Sequence, residues 1–135
     1  MNIGQAAAQS GISAKMIRYY ESIRLLDASK RTESGYRVYH ERDLHALRFI
    51  RRARDLGFSL NQIDTLMALW RDKSRASSEV KQLTNEHIAE LERKATELQE
   101  MAATLKNLAD HCHGNDRPDC PIIDNFGRQP EESRK

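Results

Sequence analysis

The segment from Ala76 to Ala109 constrains the fold most, because it contains neither glycine nor proline. Apolar residues recur in it at intervals of seven, the repeat of helices that pack as a coiled coil. A single helix of this span is about 51 Å long at 1.5 Å per residue. The apolar rows are Leu91, Leu98 and Leu105; Val80, Met101 and Leu108; and Ile88, Ala95, Ala102 and Ala109.

This apolar stripe needs a partner. A chain of 135 residues has material for one small core, which cannot cover so long a helix. A second copy of the chain is the economical partner, and the repeat alone allows a parallel or an antiparallel pair. We predict that residues 76–109 form a long coiled-coil dimerisation helix. His87 and Lys94 interrupt the second row, and we expect them at its edge or in a register-setting role.

Two short helices are predicted at the N-terminus. Asn2 is a polar helix cap with Gln5 three residues later, and Gly11 ends this first helix. Ser13 then caps a second helix that runs from Ala14 to about Glu21. Two short helices joined by a glycine-containing turn form a helix-turn-helix, whose second helix can enter the major groove of DNA.

A β-hairpin, or wing, is predicted for residues 31–39, because the turn signal Ser34-Gly35 is flanked by residues that favour strands. A helix from Glu41 to Leu56 follows, and a Ser-x-x-Gln capping box at Ser59 opens another helix that continues to Trp70. All three prolines lie beyond residue 117, so little interrupts helix before that point. The predicted fold class is therefore mainly α.

The charge is divided unevenly along the chain. Residues 1–75 contain 14 Lys and Arg against 8 Asp and Glu, whereas residues 76–135 contain 8 against 12. The N-terminal part is thus predicted to bind an anion such as nucleic acid, although a solvated basic face has the same composition. The candidate DNA-binding residues are Lys15, Arg18, Tyr19 and Tyr20 on the second helix, Arg31, Tyr36, Arg37 and Tyr39 on the hairpin, and Arg54.

Enzymatic and membrane functions find little support in the sequence. It contains no glycine-rich phosphate loop and no His-Glu-x-x-His motif, so we do not expect an enzyme. No stretch approaches the roughly 18 apolar residues of a spanning helix, and the first residues lack the basic and apolar regions of an export signal. We expect a cytoplasmic protein with no membrane partner.

The two cysteines, Cys112 and Cys120, predict a metal site. They enclose seven residues, and a structural disulfide is uncommon in a reducing cytosol. Two soft thiolates suit Cu(I) and its congeners, whereas a divalent ion with two sulfurs remains undercoordinated. A tetrahedral zinc site also needs His111 and His113, whose positions on either side of Cys112 make joint coordination awkward. A helix that begins at Pro121 is expected to stabilise the thiolate of Cys120.

Several motifs together resemble the MerR family of bacterial transcription regulators. They are Ile17-Arg18-Tyr19-Tyr20-Glu21, Gly35-Tyr36-Arg37-Val38-Tyr39, Arg51-Arg52-Ala53-Arg54-Asp55-Leu56-Gly57-Phe58 and the long helix. The tail from Cys112 to Ile123 resembles the copper-efflux regulators of that family, in which the two cysteines bind Cu(I), Ag(I) or Au(I). Members that sense divalent ions carry a further cysteine where this chain has Ser77. His111 and His113 depart from the copper-efflux pattern, which leaves a third donor open.

The resemblance implies a homodimer, joined by an antiparallel coiled coil, that binds a pseudo-palindromic operator in promoter DNA and acts on RNA polymerase there. Metal binding is expected to activate transcription by distorting the promoter, so that both metal-free and metal-bound forms hold DNA. The predicted parts are a winged helix-turn-helix DNA-binding domain (1–75), the dimerisation helix (76–109), a C-terminal metal-binding loop and short helix (110–127) and a disordered tail (128–135). Two alternatives stay open: a zinc-type divalent sensor on the same scaffold, and a thiol redox or copper-binding protein.

Overall fold

The computed structural model describes residues 1–27 and 30–128, and within them the chain is mainly helical, as predicted. The elements in chain order are α1 (Ile3–Ser10), α2 (Ala14–Ser22), β1 (Lys30–Arg31), β2 (Arg37–Val38), α3 (Glu41–Asp55), α4 (Leu60–Arg71), α5 (Ser77–Asp110) and α6 (Pro121–Phe126). The chain divides into two compact units, Met1–Lys81 and Gln82–Lys135. Residues 129–135 of the predicted disordered tail lie outside the described residues.

The helix-turn-helix forms because its caps satisfy the free backbone groups at the helix ends. The Oδ1 atom of Asn2 accepts from the N–H of Gln5 at 2.8 Å, and the Oε1 atom of Gln5 accepts from the N–H of Asn2 at 2.9 Å. Ser13 accepts from the N–H of Met16 at 3.2 Å and opens α2. These caps confirm the predicted starts of both helices.

The end of α2 has no glycine, and the sequence placed it only to within a residue. The helix continues to Ser22, and Arg24 then takes up a left-handed conformation with φ of 62°. The N–H groups of Leu25 and Leu26 donate to the carbonyl oxygen of Tyr20 at 3.0 and 3.2 Å. This turn directs two buried leucines into the core below α2.

The hydrophobic core of the N-terminal unit contains residues from all four helices α1, α2, α3 and α4. Its centre consists of fully buried aliphatic side chains from three helices, and α1 contributes Ala6. The most buried are Ile17 of α2, Leu47 and Ile50 of α3, and Ile63 of α4. At the edge of this core, Trp70 stacks on His45 and Phe49, with ring centroids 5.2 and 5.6 Å away. The core therefore holds α2 at a fixed orientation on α1 and α3.

The hairpin covers residues 30–38, one residue earlier than the predicted span of 31–39, so its location is confirmed to within a residue. Strands β1 and β2 pair antiparallel, with Lys30 opposite Val38 and Arg31 opposite Arg37. The turn closes through Thr32, whose N–H donates to the carbonyl oxygen of Tyr36 at 2.7 Å. Each strand has only two residues, so the hairpin depends on contacts with the helices to hold its position.

Helix α5 has 34 residues, and its apolar stripe is exposed in the single chain. The exposed side chains are Ile88, Leu91, Leu98, Met101 and Leu105. Beside them Arg93 pairs with Glu90 and Glu97 on a polar face. His87, expected at the edge of the stripe, is buried. No described helix is long and apolar enough to cross a membrane.

Gly11 permits the close contact between the helix-turn-helix turn and α3. It has φ of 75°, and its N–H donates to the carbonyl oxygen of Ala7 at 2.9 Å. Arg51 lies on α3, and its guanidinium donates a hydrogen bond to the carbonyl oxygen of Gly11. A Cβ atom on Gly11 would overlap the Nη1 atom of Arg51. Any other residue here strains the backbone and displaces Arg51.

We predict that Gly11→Ala lowers the free energy of unfolding by about 2 kcal/mol, because the left-handed conformation disfavours a Cβ atom and Arg51 must move. Urea unfolding at fixed protein concentration measures the loss. The matched control is Gly35→Ala, since Gly35 has φ of 86° and no atom within 4 Å of an added Cβ. Equal losses in the two variants would contradict the contribution of Arg51.

Candidate nucleic-acid interface and metal centre

An open groove runs between α2 and the hairpin, and among the described residues the charged side chains that line it are all arginines. Arg18 comes from α2, whereas Arg31 and Arg37 come from the two strands. The remaining lining residues are Asn2, Ile3, Gly35 and Tyr36. The fold thus brings together four of the sequence-predicted DNA-binding residues, and no carboxylate lines the groove in the part of the chain that the structure describes.

The hairpin turn holds the side chain of Arg31 by a hydrogen bond and exposes that of Tyr36. The Nη1 atom of Arg31 donates to the carbonyl oxygen of Gly35 at 2.9 Å, which ties the arginine to the turn. Tyr36 at the tip is 73% exposed. Guanidinium groups and tyrosine hydroxyls are donors that suit phosphate oxygens.

Three further predicted residues lie outside this groove. Lys15 and Tyr19 are exposed on α2, the helix that also carries Arg18. Arg54 is exposed near the end of α3, and its Nη1 atom donates to the carbonyl oxygen of Phe58 at 3.4 Å. The basic residues therefore extend from the groove along α2, with a separate cation on α3.

Tyr20 and Tyr39 require a correction, because both were predicted as DNA contacts and both are core residues. Only 5% of Tyr20 and 1% of Tyr39 are exposed. The hydroxyl of Tyr39 donates to the Oε1 atom of Glu21 at 2.5 Å. The motif that contains each tyrosine pointed to DNA, but Tyr20 lies on the inner face of α2 and Tyr39, just after β2, packs into the core.

Glu21 is the residue that the sequence reasoning missed. Its side chain is 9% exposed, and its Oε2 atom lies 3.5 Å from the Nε atom of Arg37. The available signal was that Glu21 is the only carboxylate in residues 1–26, placed beside two tyrosines in a basic helix. An isolated acid in such surroundings indicates an internal pairing.

The second candidate site lies in the C-terminal unit, where the two cysteines come together. The Sγ atoms of Cys112 and Cys120 are 3.7 Å apart, and both residues are free thiols of intermediate exposure. Cys112 follows the end of α5, with its N–H donating to the carbonyl oxygen of Ala109 at 3.0 Å. Cys120 is the N-cap residue of α6, and Pro121 is its first residue, as predicted.

The start of α6 favours the thiolate of Cys120. The backbone N–H of Ile123, and to a lesser degree that of Ile122, stabilise the negative sulfur and lower the pKa of the Cys120 thiol. Burial and the charge of Asp124 act in the opposite direction but are outweighed. The predicted effect of the helix N-terminus on this cysteine is therefore present.

The donor set fits an ion that accepts two sulfur ligands. The sulfur separation is less than twice the metal–thiolate bond length of about 2.3 Å, so one ion can reach both. The Nδ1 atom of His111 donates to the carbonyl oxygen of Asn107 at 2.7 Å, which directs it along its own helix. His113 is exposed. Among the described residues, no group of three or more His, Cys, Asp or Glu side chains is arranged to hold a metal.

Comparison with known families identifies the scaffold. Residues 1–70 match the family described as "MerR HTH family regulatory protein", and residues 44–108 match "MerR, DNA binding". The chain belongs to the MerR family. MerR regulators bind promoter DNA and act as dimers, and they are not enzymes.

Individual MerR-family relatives cover nearly the whole chain. "Heavy metal-dependent transcription regulator 2" of Rhizobium meliloti is 66% identical over 92% of this chain and 84% of its own length. "HTH-type transcriptional regulator CueR" of Salmonella typhimurium is 44% identical over 93% and 91%. Among solved structures, PbrR691 from Ralstonia metallidurans in complex with lead(II) superposes with a TM-score of 0.82 at 31% identity, over 93% of this chain and 98% of PbrR691.

We predict that alkylation of Cys120 by iodoacetamide has its pH midpoint below that of an ordinary thiol, because the N–H of Ile123 lowers the pKa of Cys120. The Cys112→Ser variant isolates Cys120, and the rate is measured against pH in the folded protein and in denaturant. The midpoint is expected to rise on unfolding.

Asp124→Asn provides the control, since the charge of Asp124 raises the pKa of Cys120. Its removal is expected to shift the midpoint further down in the folded protein and to have little effect in denaturant. A midpoint that does not change on unfolding would contradict the helix N-terminus as the cause.

Proposed function

We propose that this MerR-family protein is a Cu(I)-responsive transcriptional activator of copper-efflux or detoxification genes, able to respond also to Ag(I) or Au(I). The observation that carries the proposal is the pair of thiols of Cys112 and Cys120, 3.7 Å apart, with no third donor grouped beside them among the described residues. Monovalent coinage-metal ions accept low coordination numbers and prefer sulfur. A divalent ion at the same pair lacks the further ligands it needs.

The DNA-binding domain of the proposal is residues 1–75. Helix α2 is the recognition helix, with Lys15, Arg18 and Tyr19 at its surface. Arg31, Tyr36 and Arg37 contact the backbone of the operator from the hairpin, and Arg54 contacts it from α3. Arginine can bind guanine edges or phosphates, so these residues both hold and select a duplex.

Residues 76–109 are the proposed dimerisation helix, in an antiparallel coiled coil with a second copy of the chain. The support is the exposed row of α5 that includes Leu91, Leu98 and Leu105. Leucine rows at this spacing bury themselves by packing against an equivalent helix. Residues 110–127 are the proposed metal-binding segment, and residues 128–135 the tail.

In the proposed mechanism, the dimer holds a pseudo-palindromic operator in both of its states, in the cytoplasm. Cys112 and Cys120 would hold the ion through their thiolates, which would link the end of α5 to the start of α6. The consequence is a changed setting of the DNA-binding domains that distorts the promoter so that RNA polymerase can use it. The similarity to a relative named CueR favours copper as the effector.

A divalent sensor on the same scaffold is the second candidate. It is favoured by the similarity to PbrR691, whose solved structure contains lead(II). On this alternative His113 supplies an extra ligand, for which its exposure leaves it free to turn. The hydrogen bond from His111 to the carbonyl oxygen of Asn107 weighs against a four-ligand site.

We predict tight binding of one Cu(I) per chain and weak binding of Zn(II), because the site offers two thiolates. The reduced protein is titrated under buffered metal, and thiolate–metal absorption is followed. Cys112→Ser, which removes one sulfur at nearly constant size, is expected to abolish Cu(I) binding. His113→Ala is the matched control, and it should bind Cu(I) like the wild type. Preferential Zn(II) binding that His113→Ala abolishes would instead establish the divalent sensor.

We also predict that the double variant Cys112→Ser/Cys120→Ser binds operator DNA with unchanged affinity but does not activate transcription. The cysteines lie in the second compact unit, whereas the arginine-lined groove lies in the first. Transcription by purified RNA polymerase is measured with and without Cu(I), alongside operator binding. Activation of the double variant by Cu(I) would place the sensing groups elsewhere.

A further inference from the structure

Glu21 occupies the junction between α2 and the hairpin. Its carboxylate receives a hydrogen bond from the hydroxyl of Tyr39 at 2.5 Å and pairs with Arg37 at 3.5 Å. A carboxylate that is 9% exposed is costly to keep charged unless it is paired in this way. Both partners belong to the hairpin or follow it directly, so Glu21 links the last turn of α2 to the hairpin.

Arg37 is the member of this network that reaches the groove. Its side chain is 26% exposed, and it lines the groove together with Arg18 and Arg31. The contact with Glu21 is made by Nε, one nitrogen of a guanidinium that carries five donor hydrogens. Pairing through Nε restricts a side chain that otherwise loses rotamer freedom when it binds DNA.

Tyr39 makes the other end of the network rigid. Its N–H donates to the carbonyl oxygen of Met1 at 2.7 Å, and the backbone nitrogen of Met1 donates to the carbonyl oxygen of Tyr39 at 2.8 Å. The ring is fully buried. Glu21 is therefore oriented by a residue that is itself fixed by the backbone and by the core.

We propose that Glu21 is a positioning residue for sequence-selective DNA binding, which holds Arg37 and the hairpin in register with the recognition helix α2. The inference rests on the proposed DNA-binding function. It has an unusual consequence, because a carboxylate near DNA repels phosphate. Loss of the charge should leave non-specific binding unchanged or tighter, while selective binding weakens because the hairpin and α2 no longer fit one duplex together.

The test compares two duplexes of equal length and composition. One is the duplex that the wild-type dimer enriches from a random library, and the other is its scrambled counterpart. For Glu21→Gln we expect affinity for the enriched duplex to fall about tenfold, the size of one lost charged hydrogen bond. Affinity for the scrambled duplex should not fall. A variant that was merely less folded would lose affinity for both in parallel.

Salt dependence separates positioning from direct contact. Arg37→Gln is expected to reduce the slope of log affinity against log salt by about 0.9, because one phosphate contact disappears. Glu21→Gln is expected to keep the wild-type slope. Glu33→Gln is the matched control, since it removes a carboxylate from an exposed position in the hairpin turn and should leave the ratio of the two affinities unchanged.

Tyr39→Phe keeps the inference testable if Glu21→Gln fails to fold, as thermal unfolding would reveal. It preserves the charge of Glu21 and removes only the hydroxyl donor, so a smaller loss confined to the enriched duplex is expected. The inference is overturned if the folded variants bind both duplexes as Glu33→Gln does, or lose both affinities equally. If the wild type enriches no duplex at all, or binds without salt dependence, the proposed DNA-binding function fails first.

Discussion

The hydrogen bond between Tyr39 and Glu21 is the contact on which the position of the hairpin against α2 depends. A hairpin with two residues in each strand has too few ladder bonds to hold a position by itself. Tyr39 supplies what is missing, since it pairs with the backbone of Met1, reaches the end of α2 and enters the core with its ring. Tyr39 thereby fixes Met1, the end of α2 and the hairpin relative to one another. The arginines of the hairpin that line the groove are positioned by this arrangement.

Most of the secondary structure could be predicted from sequence signals that lie close to the helix ends. The capping boxes at Asn2 and Ser59 and the glycine at position 11 mark helix ends by chemistry that acts within four residues, so they can be recognised from sequence. The end of α2 was harder to place, because Arg24 adopts the left-handed conformation that a glycine would have signalled. The hairpin was placed to within one residue, because the turn signal Ser34-Gly35 lies inside it, whereas the two-residue length of each strand depends on pairing and not on the residues alone.

The candidate sites were likewise predicted where nearby sequence determines them and missed where only the fold does. The proximity of Cys112 and Cys120, and the effect of α6 on Cys120, follow from a short loop and a proline at a helix start, and both were predicted. The inward orientation of Tyr20 and Tyr39 was not, because motif resemblance identifies a residue without saying which face it occupies. Glu21 was missed because its partner Arg37 is distant in sequence, and only the fold brings such a pair together.

If α5 packs against a second copy of the chain, as proposed, its exposed stripe makes the stability of this helix depend on protein concentration. A helix of 34 residues with Leu91, Leu98 and Leu105 open to water gains most of its stability by association. Mass action then makes the stability of each chain depend on the concentration of its twin. A cell that keeps few copies of such a regulator also keeps them closer to dissociation, so the rate of synthesis becomes a second control over how much competent protein is present.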